Sequence, residues 1–241
     1  MGRTPAFKEL LVKPYVICHM ASSIDGRILP SRWRPHGRET DLYERLHEKL
    51  AGDAWLVGRV TGQEFAKADG YSARCEETFP RTSWFAQPDA ANYGVVLDAE
   101  GKIAWGRSDV GGDPIVVVLT EQVSDAHLAG LRSDGVSYVF AGENTLDLFL
   151  ALEILNRELG VERLLLEGGG VANGAFLRAG LVDEISLIVW PVVDGAAGAP
   201  RVFDSSPADA DRFAPLGDVE LLECEPMSNG AVWLRYQVLN T

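Results

Sequence analysis

One carboxylate, Glu167, stands directly before three consecutive glycines, Gly168, Gly169 and Gly170, and directly after an apolar run, Leu164, Leu165 and Leu166. The run reads as a buried strand. The residues after the glycines, Val171, Ala172 and Asn173 onward to Leu177, read as a helix. Glycines at such a junction let a ligand approach the backbone closely, and the helix start offers unpaired N–H groups to a phosphate. A tight turn alone needs fewer than three glycines, so the segment points to a phosphate or nucleotide site. The spacing is not the dinucleotide fingerprint, because Asn173 occupies the place of its third glycine. It is not a P-loop either, since no Gly-Lys-Ser/Thr follows. A carboxylate ending an apolar strand is costly without partners, so Glu167 requires a ligand or a local pair of N–H groups.

Composition narrows the function classes. The 241 residues can bury a full core, and 46% apolar content with mean hydropathy near zero is that of a soluble globular protein. A formal net charge of −13 argues against general nucleic-acid binding. An anionic cofactor would then need cations placed locally. No apolar stretch reaches membrane-spanning length. Lys8, Glu9 and Lys13 interrupt the first apolar residues, unlike a signal peptide. Cys18, Cys75 and Cys224 are odd in number and far apart. They suggest neither a disulfide framework nor a zinc site, and they fit a reducing cytoplasm.

Strand and helix signals alternate along the chain. Strands are predicted over 14–20, 53–57, 94–97, 115–119, 136–140, 163–166 and 184–190. Helices are predicted over 39–50, 124–131, 145–159 and 171–179. Asp25-Gly26 is a turn signal. Residues 67–92 form a long polar loop carrying Tyr71, Phe79, Trp84 and Phe85, a length usually functional or mobile. Segments 219–224 and 232–238 read as an antiparallel pair around Ser228-Asn229-Gly230. The pattern predicts one α/β domain over 1–241, with 1–12 as an N-terminal extension. Its sheet is mixed and mostly parallel, flanked by helices. In 184–190, Ile185, Leu187 and Val189 alternate with Ser186, Ile188 and Trp190, a strand apolar on nearly both faces. Such a strand is buried on both sides, within one subunit or against another.

Four blocks carry a resemblance. They are residues 15–28 (YVICHMASSIDGRI), 55–61 (WLVGRVT), 164–185 (LLLEGGGVANGAFLRAGLVDEI) and 190–195. In this order they resemble the reductase domain of the riboflavin-biosynthesis deaminase–reductase family. The resemblance implies a dihydrofolate-reductase-like fold, a homodimer, and hydride transfer from NADPH. The family reaction converts a ribosylamino side chain on a phosphorylated aminopyrimidine to ribitylamino, through C1′ of a ring-opened imine. The zinc deaminase signatures H-x-E and P-C-x-x-C are absent, so the chain resembles stand-alone reductases.

The resemblance also assigns roles. The cofactor lies along the glycine segment, Gly168 to Asn173, with Ala21, Ser22, Gly58 and Thr61 as further contacts. Arg59 takes the place of an arginine that helps bind the 2′-phosphate, a task suited to a guanidinium fork. Ser31 matches a substrate contact, and Trp33 a cofactor contact that could equally be a loop anchor. Glu167 binds substrate and is a catalytic candidate, as is Asp25, whose Asp-Gly turn alone would explain it. Lys49 occupies the place of an arginine near the substrate phosphate, although a solvated lysine is the commoner reading. No metal site is expected. His19, His36, His47 and Cys18 read as structural. The stretch from Gly62 to Tyr71 lacks the D-D-P-x-L-T-x-R pattern that binds the phosphosugar in the family. A different pyrimidine, a pterin, another small heterocycle, or a non-catalytic NADP-binding role therefore stay open.

Overall fold

The computed structural model describes residues 13–37, 41–209 and 211–240. The expected extension 1–12 and the first residues of the helix predicted over 39–50 lie outside the described residues. The others form a ten-stranded sheet. Its strands are β1 (Tyr15–Ser23), β2 (Ala54–Gly58), β3 (Tyr93–Leu97), β4 (Asp109–Val110), β5 (Asp113–Leu119), β6 (Ser137–Phe140), β7 (Arg163–Leu166), β8 (Glu184–Trp190), β9 (Leu216–Pro226) and β10 (Val232–Asn240). The spatial order is β5-β3-β2-β7-β1-β8-β10-β9, with β4 and β6 both paired to β5. Strands β6, β5, β3, β2, β7, β1 and β8 run parallel, β10 pairs antiparallel with both β8 and β9, and the short β4 pairs antiparallel with β5. This is the mixed, mostly parallel α/β sheet expected.

The parallel strands are apolar on both faces because helices cover both. Residues alternate between the two sides. Ile17, Trp55, Val57, Leu165 and Trp233 pack on one, with α1 (Leu42–Leu50) and α3 (Asp125–Asp134). Val16, Cys18, Leu56, Leu164 and Leu166 pack on the other, with α4 (Leu148–Leu159) and α5 (Gly170–Arg178). Leu42, Leu46 and Leu50, four apart, form the buried stripe of α1. Ser124 and Asp147 cap α3 and α4 by accepting N–H bonds, and Gly135 and Gly160 end them in the left-handed conformation.

Two expectations change, and a third is met in part within the chain. A further helix, α2 (Arg59–Phe65), follows β2 directly. Its seven residues carry too short an apolar pattern to be read as periodic. The loop over 67–92 is anchored, not free. Trp84 and Tyr138 exchange two backbone hydrogen bonds at 2.9 Å, and the Tyr71 hydroxyl donates to Asp134 at 2.6 Å. Arg132 stacks its guanidinium over Phe79, Trp84 and Tyr138. The loop thus covers edge strand β6, which protects unpaired backbone groups. Strand β8, finally, is buried on only one face. Glu184, Ser186, Ile188 and Trp190 are buried, whereas Ile185, Leu187 and Val189 are half-buried.

Candidate active site

Two parallel strands, hydrogen-bonded neighbours, end side by side. β2 ends at Gly58 and enters α2, and β7 runs through Glu167 and the glycines into α5. The Gly58 N–H donates to the Gly168 carbonyl at 3.0 Å and ties the two junctions together. The Glu167 N–H donates to the Leu56 carbonyl at 2.8 Å. That bond carries the ladder one residue past β7 and fixes where the carboxylate leaves the sheet. Thr61, in the first turn of α2, faces the same glycines. Its hydroxyl lies 3.8 Å from where a Cβ on Gly168 or Gly169 would stand, with open space otherwise at Gly169.

A cavity of roughly 310 Å³ opens against this seam. Helix α1 contributes Tyr43 and His47, β2 contributes Trp55, α2 contributes Thr61 and Phe65, and Glu167 lies between them. Mostly apolar walls with few convergent polar groups suit a small planar heterocycle.

The polar centre of the cavity is a pair. His47 Nδ1 lies 2.8 Å from Glu167 Oε1, with the Glu167 side chain 12% exposed and His47 34% exposed. The hydrogen bond to Glu167 raises the pKa of His47 against the opposing effect of burial. The ion pair is therefore complete below the ordinary histidine value of 6.5 and dissolves as pH rises through the raised value. The Tyr43 hydroxyl donates to the His19 carbonyl at 3.1 Å. Burial, then the nearby Glu167, push that phenol well above its usual range.

His19 stands behind the cavity in a closed chain. The Trp233 indole donates to Ser186 Oγ at 2.9 Å, and Ser186 Oγ lies 3.0 Å from His19 Nδ1. The Tyr43 carbonyl beside Nε2 can only accept, so in the neutral ring Nδ1 is bare and accepts from the Ser186 hydroxyl. The ring proton of His19 then sits on Nε2, facing the Tyr43 carbonyl at 3.4 Å. Burial lowers the pKa of His19 and keeps it neutral. The structural reading of His19 agrees with this. His47 departs from the same reading, since it faces the cavity and holds Glu167. No local signal links two residues 120 positions apart. The available hint was Tyr43 and His47 at i, i+4, beside the leucine stripe of α1.

The other candidates fall into two groups. Gly58, Thr61, Gly168, Gly169 and Glu167 come together at the seam. Gly58 lets α5 approach, because a Cβ there would stand 3.3 Å from Ala172 Cβ. Val171 is exposed on the first turn of α5, and Arg59 is exposed at the first position of α2. Ala21 and Ser22 close β1 opposite Ile188 and Val189. The second group does not line the cavity. Gly170 packs so closely on the Arg201 carbonyl that a Cβ would overlap it, and Asn173 is buried and donates to the Val202 carbonyl at 2.9 Å. Trp33 is 1% exposed, with its indole donating to the Arg27 carbonyl at 3.1 Å, the anchoring alternative. Lys49 lies 4.3 Å above the Trp233 ring and 3.8 Å from Glu225, away from the cavity. Ser31 is exposed in a single helical turn (Pro30–Arg32). Asp25 accepts from Ser23 Oγ at 2.7 Å and from the N–H groups of Asp194 and Gly195 at 3.1 and 2.9 Å. These bonds hold its carboxyl far below the usual range and tie the Asp25-Gly26 turn to the segment after β8. Among the described residues no group of three or more His, Cys, Asp or Glu is placed to hold a metal, and no helix is long and apolar enough to cross a membrane.

Known proteins resemble this chain. The 2,5-diamino-6-ribosylamino-4(3H)-pyrimidinone 5′-phosphate reductase of Methanothermobacter thermautotrophicus is 30% identical over 200 residues, spanning 82% of this chain and 87% of that protein. The enzyme of the same name from Aquifex aeolicus is 26% identical over 195 residues, spanning 79% and 82%. A crystallised pyrimidine reductase-like protein from Corynebacterium diphtheriae superposes with a TM-score of 0.68 at 19% identity, covering 95% of this chain and 93% of its own. The fold is dihydrofolate-reductase-like. Residues 14–233, from the first strand to the last, match a single family, and on that span this chain belongs to the RibD C-terminal domain family.

Proposed function

We propose that this chain is an NADPH-dependent reductase of the ribosylamino side chain of a pyrimidinone 5′-phosphate. The observation that carries the reading is the cavity at the β2–β7 seam, with Glu167 and Thr61 in its lining and the glycine turn directly after Glu167 in the chain. The relatives this chain resembles carry the name reductase. The residues present fit a dinucleotide. Gly169 leaves open space where a side chain would stand, and the first-turn N–H groups of α5 have no intrahelical acceptor. When bound, the nicotinamide supplies a hydride. Gly168, Gly169, Val171, Ala172 and Thr61 would hold the cofactor, and Trp55 and Phe65 would wall the heterocycle in a dry slot. Glu167 accepts hydrogen bonds from its amino edge. Orientation of two ligands is most of what such a transfer requires. The three cysteines are free, as suits an enzyme of the cytoplasm. The test is loss of nicotinamide absorbance when protein, NADPH and the pyrimidinone phosphate are mixed. No loss with that substrate would refute the reading. A second reading is favoured by the lining, in which no Lys or Arg appears among the described residues. On it the substrate is an unphosphorylated heterocycle, and the dephosphorylated pyrimidinone would react faster than the phosphate.

Arg59 sets cofactor choice in this reading. It is exposed at the start of α2, near enough to Glu100 to act on its charge. Arg59→Ala should weaken NADPH about tenfold and leave NADH nearly unchanged, the scale of one charge-assisted hydrogen bond. Equal weakening of both in a fluorescence titration would remove the assignment.

The protein is further proposed to be a homodimer. The half-buried face of β8 continues onto β9, where Leu221 is 57% exposed and Val219 39%. An apolar sheet surface of this extent on a soluble chain is characteristic of an interface. Sedimentation equilibrium at micromolar concentration should give twice 26.2 kDa. A single-chain mass would contradict the dimer.

A further inference from the structure

The reduction of a ribosylamine needs one proton as well as one hydride. The C1′–O4′ bond must break, and its electron pair leaves on the ring oxygen. A group in the cavity has to supply the proton that turns this oxygen into a hydroxyl. We infer that the His47–Glu167 pair is that donor, with His47 giving its proton to the ring oxygen of the substrate sugar. The inference rests on the reductase reading above.

Elimination among the described residues of the cavity leads to His47. The Thr61 hydroxyl is not an acid near neutrality. The Tyr43 phenol is held well above its usual range and already donates to the His19 carbonyl. His19 behind it is fully buried, neutral, and bonded through both nitrogens. His47 is different, because Glu167 takes Nδ1 and one third of the side chain remains exposed at the cavity. A carboxylate only accepts, so Nδ1 carries a proton at all times, and the transferable proton is on Nε2. After transfer the ring is left as the Nδ1–H tautomer, still bonded to Glu167, and needs no rearrangement before solvent reprotonates it. The geometry is that of a histidine oriented by a carboxylate.

The surroundings favour the charged ring. Glu167 at the end of β7, Glu48 on the same helix and Asp113 on β5 all raise its affinity for a proton. His19 on β1 faces it too, but stays neutral. Partial burial opposes them and does not prevail. The step balances. One proton goes to O4′, reduction of the resulting iminium carbon consumes the hydride and its electron pair, and the amine nitrogen keeps its hydrogen.

Two measurements test this. In the ligand-free protein, the His47 imidazole followed by NMR should titrate above an exposed histidine, and Glu167→Gln should lower it. In turnover, the wild type should lose rate as pH rises through that same value. His47→Gln and His47→Asn should both lose this limb and fall about 100-fold or more, the usual contribution of a positioned acid. NADPH affinity should stay within about twofold. A wild-type enzyme that turns over while both variants keep its rate and pH profile would overturn the donor role alone. So would a His47 that titrates below an ordinary histidine. Absence of wild-type turnover at every pH would overturn the reductase reading and this inference with it, even where the NMR shift is as expected.

Discussion

Glu167→Gln should lower turnover about 10- to 150-fold, the range that loss of a charge-assisted hydrogen bond of roughly 1.5–3 kcal/mol represents, while NADPH affinity changes by less than about twofold. The expected separation comes from position. The carboxylate lies in the cavity with the ring of Trp55, whereas the turn proposed for the cofactor begins one residue later. An amide at the same place keeps the shape and one acceptor. It loses the charge that orients His47 and turns one oxygen into a donor facing the amino groups of the heterocycle. The fold should survive, because the backbone bond from the Glu167 N–H to Leu56 does not depend on the side chain. Steady-state kinetics and a cofactor titration on the same sample check both halves. If cofactor affinity collapses while the Michaelis constant for the pyrimidine holds, Glu167 serves the cofactor instead.

The parts legible in the sequence were those written locally. The strand, carboxylate and glycines of 164–170 occupy one stretch, and each signal constrains the same few backbone dihedrals. The leucines of α1 and the caps of α3 and α4 are equally local. What could not be read is built across the sheet. His47 meets Glu167 only because β7 lies between β2 and β1, which brings the end of β7 under α1. No spacing announces that adjacency. The loop over 67–92 shows the same limit from the other side. Its length suggested function or mobility, yet Phe79 and Trp84 face Arg132, and the loop covers the edge of β6. Asp25 and Trp33 likewise stand beside a plausible site in the chain. Their hydrogen bonds to residues 194–195 and to Arg27 hold the ends of loops. Glycine count was a similar half-signal. Three in a row suggested one function, and packing divides them between two.

A like contrast, between Gly169 and Gly174, gives the other large prediction. Gly169→Val should abolish NADPH binding in a protein that remains folded, and Gly174→Val should unfold the protein at moderate temperature. At Gly169 a Cβ meets only Thr61 Oγ1, at 3.8 Å, so a valine side chain projects into space proposed for the pyrophosphate. No packed neighbour stands against it, so the steric cost of the side chain falls on the ligand. At Gly174, one turn into α5, a Cβ would overlap the carbonyl oxygen of Asp204 and crowd Arg178 at 2.9 Å. Backbone cannot step aside as a flexible side chain can. The helix must lift from the segment after β8, and with it Asn173, whose amide bonds the Val202 carbonyl. Overpacking of this kind costs about 3 kcal/mol or more. In a chain of this length that is a fall in Tm of roughly 6–12 °C. Thermal melts separate the two variants without reference to activity, and a titration with NADPH then reads the first. Unchanged binding by folded Gly169→Val would place the cofactor elsewhere. A Gly174→Val protein as stable as wild type would mean that α5 does not rest on the 201–204 segment in solution.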